Sequence, residues 1–117
     1  MNMQRVQRRL QDILDEIAGI RAATAGRTFD DFVQDWVTIR ATQHGLLIIA
    51  EAVKHLPEEA TGMRPEIPWG RIRALGNFLR HDYASIDNAV IWSIVTAHLG
   101  PLEDAVQAIL ATRTGSM

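Results

Sequence analysis

The sequence predicts an all-α bundle of four or five helices. Apolar residues recur at helical spacing through most of the 117 residues, no stretch alternates apolar and polar side chains as a half-buried strand does, and no segment repeats itself. A chain of this length buries one sizeable core, so residues 1–117 are expected to form a single domain.

From Gln4 to Ala23, the residues Val6, Leu10, Ile13, Leu14, Ile17 and Ile20 make one apolar stripe. Arg5, Arg8, Arg9, Asp12, Asp15 and Glu16 fill most of the rest, the pattern of a surface helix. Gly26 marks its end. Thr28 fits an N-cap, with Asp31 three residues on as a weak form of the capping box. One long helix is expected from Phe29 to about His55, bent near Trp36 to Thr38. Leu46, Ile49, Val53 and Leu56 continue an apolar face, and Leu47 and Ile48 widen it, so this helix is expected at the centre. Gly45 inside it costs about 1 kcal/mol relative to alanine.

Pro57 to Pro68 contains three prolines and a glycine and reads as a loop. Trp69 begins a helix that reaches about His81, with Ile72, Leu75 and Leu79 inward. Asp82 to Ile86 is a connector. Asp87 caps the last helix, with Val90, Ile91, Ile94 and Val95 inward. Gly100-Pro101 should kink or restart that helix, which continues through Leu102, Val106, Ile109 and Leu110. The tail Thr112 to Met117 is expected to fray. Trp36, Trp69 and Trp92 are candidate core or interface anchors.

Composition narrows the function. The net charge of −2 argues against strong nonspecific binding to nucleic acid. It leaves room for a local basic groove, because Arg64, Arg71, Arg73 and Arg80 fall in one third of the chain. With no cysteine, disulfides, thiol catalysis and cysteine metal sites are excluded. There is no glycine-rich phosphate loop, no dinucleotide fingerprint and no H-E-x-x-H, so no cofactor is expected. Glu51 and His55 have a spacing that a metal can use. His55, however, falls in the last turn of its helix, where positive charge is favoured, and His98 has the same reading. His44 reads as a surface or interface residue. The longest apolar run, Leu46 to Ala50, is too short to span a bilayer. The N-terminal segment is polar and basic, without the apolar core of a secretory signal. A cytoplasmic protein is expected.

The candidate chemistry lies in Gly76-Asn77-Phe78-Leu79-Arg80-His81-Asp82-Tyr83. Arg73, Asn77, Arg80 and His81 follow the i, i+4, i+7, i+8 spacing of one helix face. Histidine moves protons at physiological pH, and arginine holds phosphate oxygens in a bidentate fork. The one tyrosine of the chain, Tyr83, follows two residues later. A solvated polar face is the plain alternative for these four residues, and a buried, capped ring the plain alternative for Tyr83. The face carries asparagine and histidine rather than mixed lysine and glutamate. Gly76 in the middle of the helix points to close approach of a partner helix or a ligand.

The stretch from Ile67-Pro68-Trp69 through Gly76–Tyr83 to Ile91-Trp92 resembles the HepT-like subfamily of HEPN domains, the toxins of bacterial toxin–antitoxin pairs. Leu10-Gln11-Asp12-Ile13-Leu14 is similar to the family's first helix, Thr28-Phe29-Asp30-Asp31-Phe32 to the start of its second, and Leu46–Ala52 to its "LxxIGEA" segment. The resemblance implies an antiparallel four- to five-helix bundle acting as a homodimer, with two motifs facing one cleft. It implies metal-independent RNA cleavage through an R-x4–6-H motif. It also implies a minimal nucleotidyltransferase (MNT) antitoxin that silences the toxin by adding AMP to the tyrosine of H-x-Y. His81 and Tyr83 match that histidine and tyrosine, and Asn77 matches the polar residue after the motif arginine. The arginine itself falls on Gly76, so R-N-x3-H-x-Y reads here as G-N-x3-H-x-Y. Arg73 and Arg80, one turn to either side, are the candidates to replace it. The alternative is a non-catalytic HEPN module that binds nucleotide or the nucleotidyltransferase.

Overall fold

The computed structural model describes the backbone of residues 3–115 and the side chains through Arg113. Helix α1 (Met3–Thr24) buries Val6, Leu10, Ile13, Ile17 and Ile20, the stripe read from the sequence apart from Leu14, which is partly buried. Gly26 ends the connection with a positive φ of 73°, a conformation that glycine adopts without steric cost.

The expected long second helix is two helices. Helix α2 (Phe29–Val33) starts with a full capping box: the Asp31 N–H donates to Thr28 Oγ1 at 3.1 Å, and the Thr28 N–H donates to Asp31 Oδ2 at 3.0 Å. Helix α3 (Trp36–Lys54) has its own N-cap, Asp35, in an extended conformation. The Asp35 carboxylate accepts from the Thr38 N–H at 3.1 Å, the Thr38 hydroxyl at 2.8 Å and Arg27 Nη1 at 2.8 Å. Three donors on one side chain hold the chain out of helix at this point, which is a break rather than the expected bend.

Inside the expected loop sits a single helical turn, α4 (Glu58–Thr61). Helix α5 (Trp69–Asp82) follows. Buried Trp69 anchors its start through an indole N–H bond to the Arg64 carbonyl at 3.0 Å. Residues Tyr83–Ser85 form a 3-10 turn, and Asp87 caps α6 (Asn88–Ser93) by accepting from the Ala89 N–H at 2.9 Å.

Gly100-Pro101 does not restart the helix. A π-helical turn, Ile94–His98, joins α6 to α7 (Leu99–Gly115). Pro101 has no N–H, and its ring crowds the carbonyl four residues back. The wider turn just upstream, with the Leu99 N–H bonded to the Ile94 carbonyl, lets the helix run on through it. Of the residues expected inward here, Ile91 is fully buried, Ile94 and Val95 are partly buried, and Val90 is 50% exposed. Thr112 to Gly115 remain helical rather than frayed, and Arg113 ties α7 to Glu59 at 3.1 Å. Ser116 and Met117 lie outside the described residues.

Helix α3 is central, flanked by α1 and α5, and α1 packs also on α7. Phe32 tilts against Trp92 at 5.1 Å, which ties α2 to α6. Gly45 admits the Ile20 side chain of α1, whose atoms would lie 2.9 Å from an added Cβ. Ala50 faces Gly76, and Gln43 reaches Tyr83, so α5 runs antiparallel to α3. The described residues form an all-helical fold without strands, and none of their helices is long and apolar enough to cross a membrane.

Candidate functional site

Helix α5 turns Leu79 and Gly76 inward and leaves Arg73, Asn77, Arg80 and His81 exposed. The close approach inferred from Gly76 is to a helix: a Cβ there would lie 2.4 Å from the Cβ of Ala50. No side chain fits at position 76 while α3 and α5 stay this close, since real Cβ atoms do not approach below 3.0 Å. The position that carries arginine in the related motif is here a point of helix contact.

Beside that contact Arg73, Asn77 and Arg80 line a pocket of about 220 Å³ with Ala50, Glu51, Lys54 and Gly76. Arg80 Nη2 is ion-paired to Glu51 Oε1 across the two helices. Both side chains are more than a third exposed, so solvent screens the pair and it is mainly an orienting contact. Arg73 and Lys54 form no ion pair among the described residues. The pocket therefore has a net positive lining, suited to a phosphate. His81 follows Arg80 in the last turn of α5 but is not part of the pocket lining. The structure groups three of the four expected residues around one space and leaves the histidine outside its lining.

Tyr83 opens the 3-10 turn with its side chain half in solvent. The Arg40 guanidinium lies over its ring at 4.5 Å and over the ring of Trp36 at 5.5 Å. Arg40 Nη1 donates to Gln43 Oε1 at 3.1 Å, and Gln43 Nε2 donates to the Tyr83 carbonyl at 3.4 Å. Trp69 is the core anchor among the tryptophans, Trp92 packs on the two phenylalanines of α2, and Trp36 is 67% exposed.

Sequence reasoning missed Glu51, Lys54, Arg40 and Gln43 as neighbours of the motif. Polar residues at 40, 43, 51 and 54 on a largely apolar helix were the available signal. Their target was hidden without the antiparallel register of α3 and α5. His44 and His55 are exposed on α3 and at its C-cap. No three His, Asp or Glu side chains are grouped to hold a metal ion among the described residues.

Comparison with known proteins bears on this helix pair. The family model "Ribonuclease HepT-like" matches residues 13–109, from α1 to the end of the α7 core. The protein named "Putative RNase TTE0752" of Caldanaerobacter subterraneus subsp. tengcongensis is 36% identical over 101 residues, which cover 86% of this chain and 90% of that one. "Putative RNase MJ0127" of Methanocaldococcus jannaschii is 40% identical over 86 residues, 74% of this chain and 71% of its own. "Probable ribonuclease HepT" of Thermococcus cleftensis is 34% identical over 94 residues, 80% and 86% of the two chains. No solved structure gives a significant match. A helical fold, the motif on α5 and matches that span most of the chain agree: this protein belongs to the HepT-like ribonuclease family.

Proposed function

We propose that the chain is the ribonuclease toxin of a toxin–antitoxin pair and cuts RNA phosphodiesters without a metal. The observation that carries this reading is the convergence of Arg73, Asn77 and Arg80 on one pocket in a family of ribonucleases, with His81 next to Arg80. In the reaction, His81 takes the proton of a ribose 2′-OH as that oxygen attacks phosphorus, or gives a proton to the departing 5′-oxygen. Arg80 and Arg73 bind the phosphate oxygens as charge builds on them, and Asn77 orients the phosphate or the histidine. The 5′-oxygen leaves and a 2′,3′-cyclic phosphate remains. Two copies of the chain, facing one cleft, supply two sets of these groups. This reading goes with a cytoplasmic protein.

The antitoxin in this reading is an MNT-type nucleotidyltransferase that adds AMP to Tyr83. The half-exposed ring gives the transferase access. The added phosphate is attached beside Arg40, whose guanidinium lies over the Tyr83 ring, and takes up a cation that RNA needs. The second reading, a non-catalytic module that binds nucleotide or the transferase, is favoured by Gly76, which supplies no side chain, and by the carboxylate that occupies Arg80.

Incubation of purified protein with RNA in EDTA decides between the two. Cleavage that is lost in His81→Ala supports the nuclease, and intact RNA supports the binding module. Co-expression with a nucleotidyltransferase should raise the intact mass by AMP units in the wild type and not in Tyr83→Phe. Suppression at unchanged mass would show that the antitoxin acts by binding alone.

A further inference from the structure

We infer that Trp36, Arg40 and Tyr83 form a nucleobase-stacking subsite that holds a base of single-stranded RNA beside His81. The inference takes its ligand class from the ribonuclease reading, and adds to it a place where the bases rather than the phosphates are held.

Three planar groups meet here. The Arg40 guanidinium touches the Tyr83 ring at 4.5 Å and the Trp36 ring at 5.5 Å. Its orientation is fixed from behind: Nη1 donates to Gln43, a residue only 6% exposed, and Gln43 in turn donates to the Tyr83 carbonyl. The stack therefore has a buried polar support, while its rings face out. Trp36 is 67% and Tyr83 48% exposed. A large ring left in water forgoes the burial that usually dominates its energetics. Nothing in α3 requires a tryptophan here, because the helix is already capped by Asp35. Arg40 forms no ion pair among the described residues, so its charge is free to meet a phosphate chain. Exposed aromatic rings interleaved with an unpaired arginine are the means by which proteins stack unpaired bases while following the anionic backbone. Tyr83 places this stack two residues from His81, immediately after α5 ends. The arginine pocket lies farther along the same pair of helices, toward Glu51 and Lys54, so a strand with a base stacked here has to run along α3 and α5 to reach it.

The test uses a 2′-O-methyl oligoribonucleotide, which lacks the attacking hydroxyl and stays intact, and an abasic oligomer of equal length and charge. Trp36 is the most exposed of the three tryptophans, so its fluorescence reports stacking. The base-bearing oligomer should quench it and bind roughly 10-fold tighter than the abasic one. Trp36→Ala should remove both the quenching and the preference. Arg40→Lys, which keeps the charge and loses the plane, should reduce the preference without change in fold. Equal binding of the two oligomers, or a preference retained in Trp36→Ala, overturns the subsite. So does a fluorescence unchanged by RNA together with a Trp36→Ala protein that sediments as a smaller species, which would make the patch a contact between copies. Cleavage of unmodified RNA, measured in parallel, keeps the two readings apart. Base-dependent quenching without cleavage upholds the subsite and removes the nuclease. Cleavage with an unchanged KM in Trp36→Ala does the reverse.

Discussion

We propose that Arg80 replaces the missing motif arginine from another Cα. An arginine at position 76 would have to emerge where Ala50 sits. Arg80, one turn on, leaves the helix on the open side and is drawn toward α3 by Glu51. Its guanidinium thus reaches the pocket from the far side of the glycine. The carboxylate orients the group in the free protein, and an RNA phosphate would have to displace it to use the same guanidinium face. If Arg80 supplies the charge that the reaction needs, Arg80→Ala should lower kcat by about 100-fold or more, and it leaves Glu51 facing the pocket as an uncompensated anion. Arg73→Ala should cost less, because Arg73 is not held against α3 by an ion pair. Single-turnover cleavage rates of the two variants rank them; equal rates for wild type and both variants would sink the replacement.

At the scale of elements, the contact of α3 with α5 is set by two small residues. Gly76→Ala would gain about 1 kcal/mol in helix propensity if the space were open. It is not: the new Cβ meets the Ala50 Cβ at 2.4 Å, and an alanine has no flexible end to move. Overpacking of this kind costs about 1–3 kcal/mol, so the variant should be less stable in urea. Ala50→Gly in the same chain should relieve the clash, and a double-mutant cycle should show coupling of opposite sign to the single loss. A more stable Gly76→Ala would show that the helices are farther apart than described.

The cap of α3 carries a pH dependence. The Thr38 backbone N–H above all, then its hydroxyl and the Arg27 guanidinium, hold the Asp35 carboxyl at about 2, below its ordinary 3.8. A depressed carboxyl stabilises the fold above its unfolded pKa, and that contribution is lost as pH falls through the folded value. Thermal unfolding of the wild type should therefore show a loss between about pH 4 and 2 that is smaller in Asp35→Asn, which keeps a cap without the charge. Equal slopes in the two proteins would remove Asp35 from the acid response.

These caps explain what was legible and what was not. Thr28 and Asp31 stand directly before an apolar run, so the start of α2 could be read. Asp35 and Thr38 lie within one continuous apolar pattern, and the pattern hid the break. The exposed face of α5 could be read because its residues lie on one helix. The Glu51–Arg80 and Arg40–Tyr83 contacts join residues far apart in sequence, and only the antiparallel register of two helices brings them together. Pro101 was read as an interruption because periodicity carries no signal for a π turn.

For the whole molecule, we propose that a second copy docks on the outer side of α5. The outer side of α5 carries Gly70, Ala74, Asn77 and His81, all exposed, with Phe78 beside them at 61% exposure. The opposite side already packs on α3 through Gly76 and Leu79. Small residues let a second helix come close, and an exposed phenylalanine supplies apolar area to bury. A two-fold axis through this side would set α5 against its own copy in an isologous contact. The two His81 residues would then border one cleft, the arrangement the proposed shared active site needs. The expectation is a symmetric dimer in sedimentation at micromolar concentration. Phe78→Glu, which places two carboxylates across the axis, should yield a folded monomer, since Phe78 contributes little to the core of its own chain. If the cleft is shared, that monomer should also lose RNA cleavage while its thermal stability changes little. A wild-type monomer, or a Phe78→Glu dimer with full activity, would move the interface away from α5 and leave each active site to a single chain.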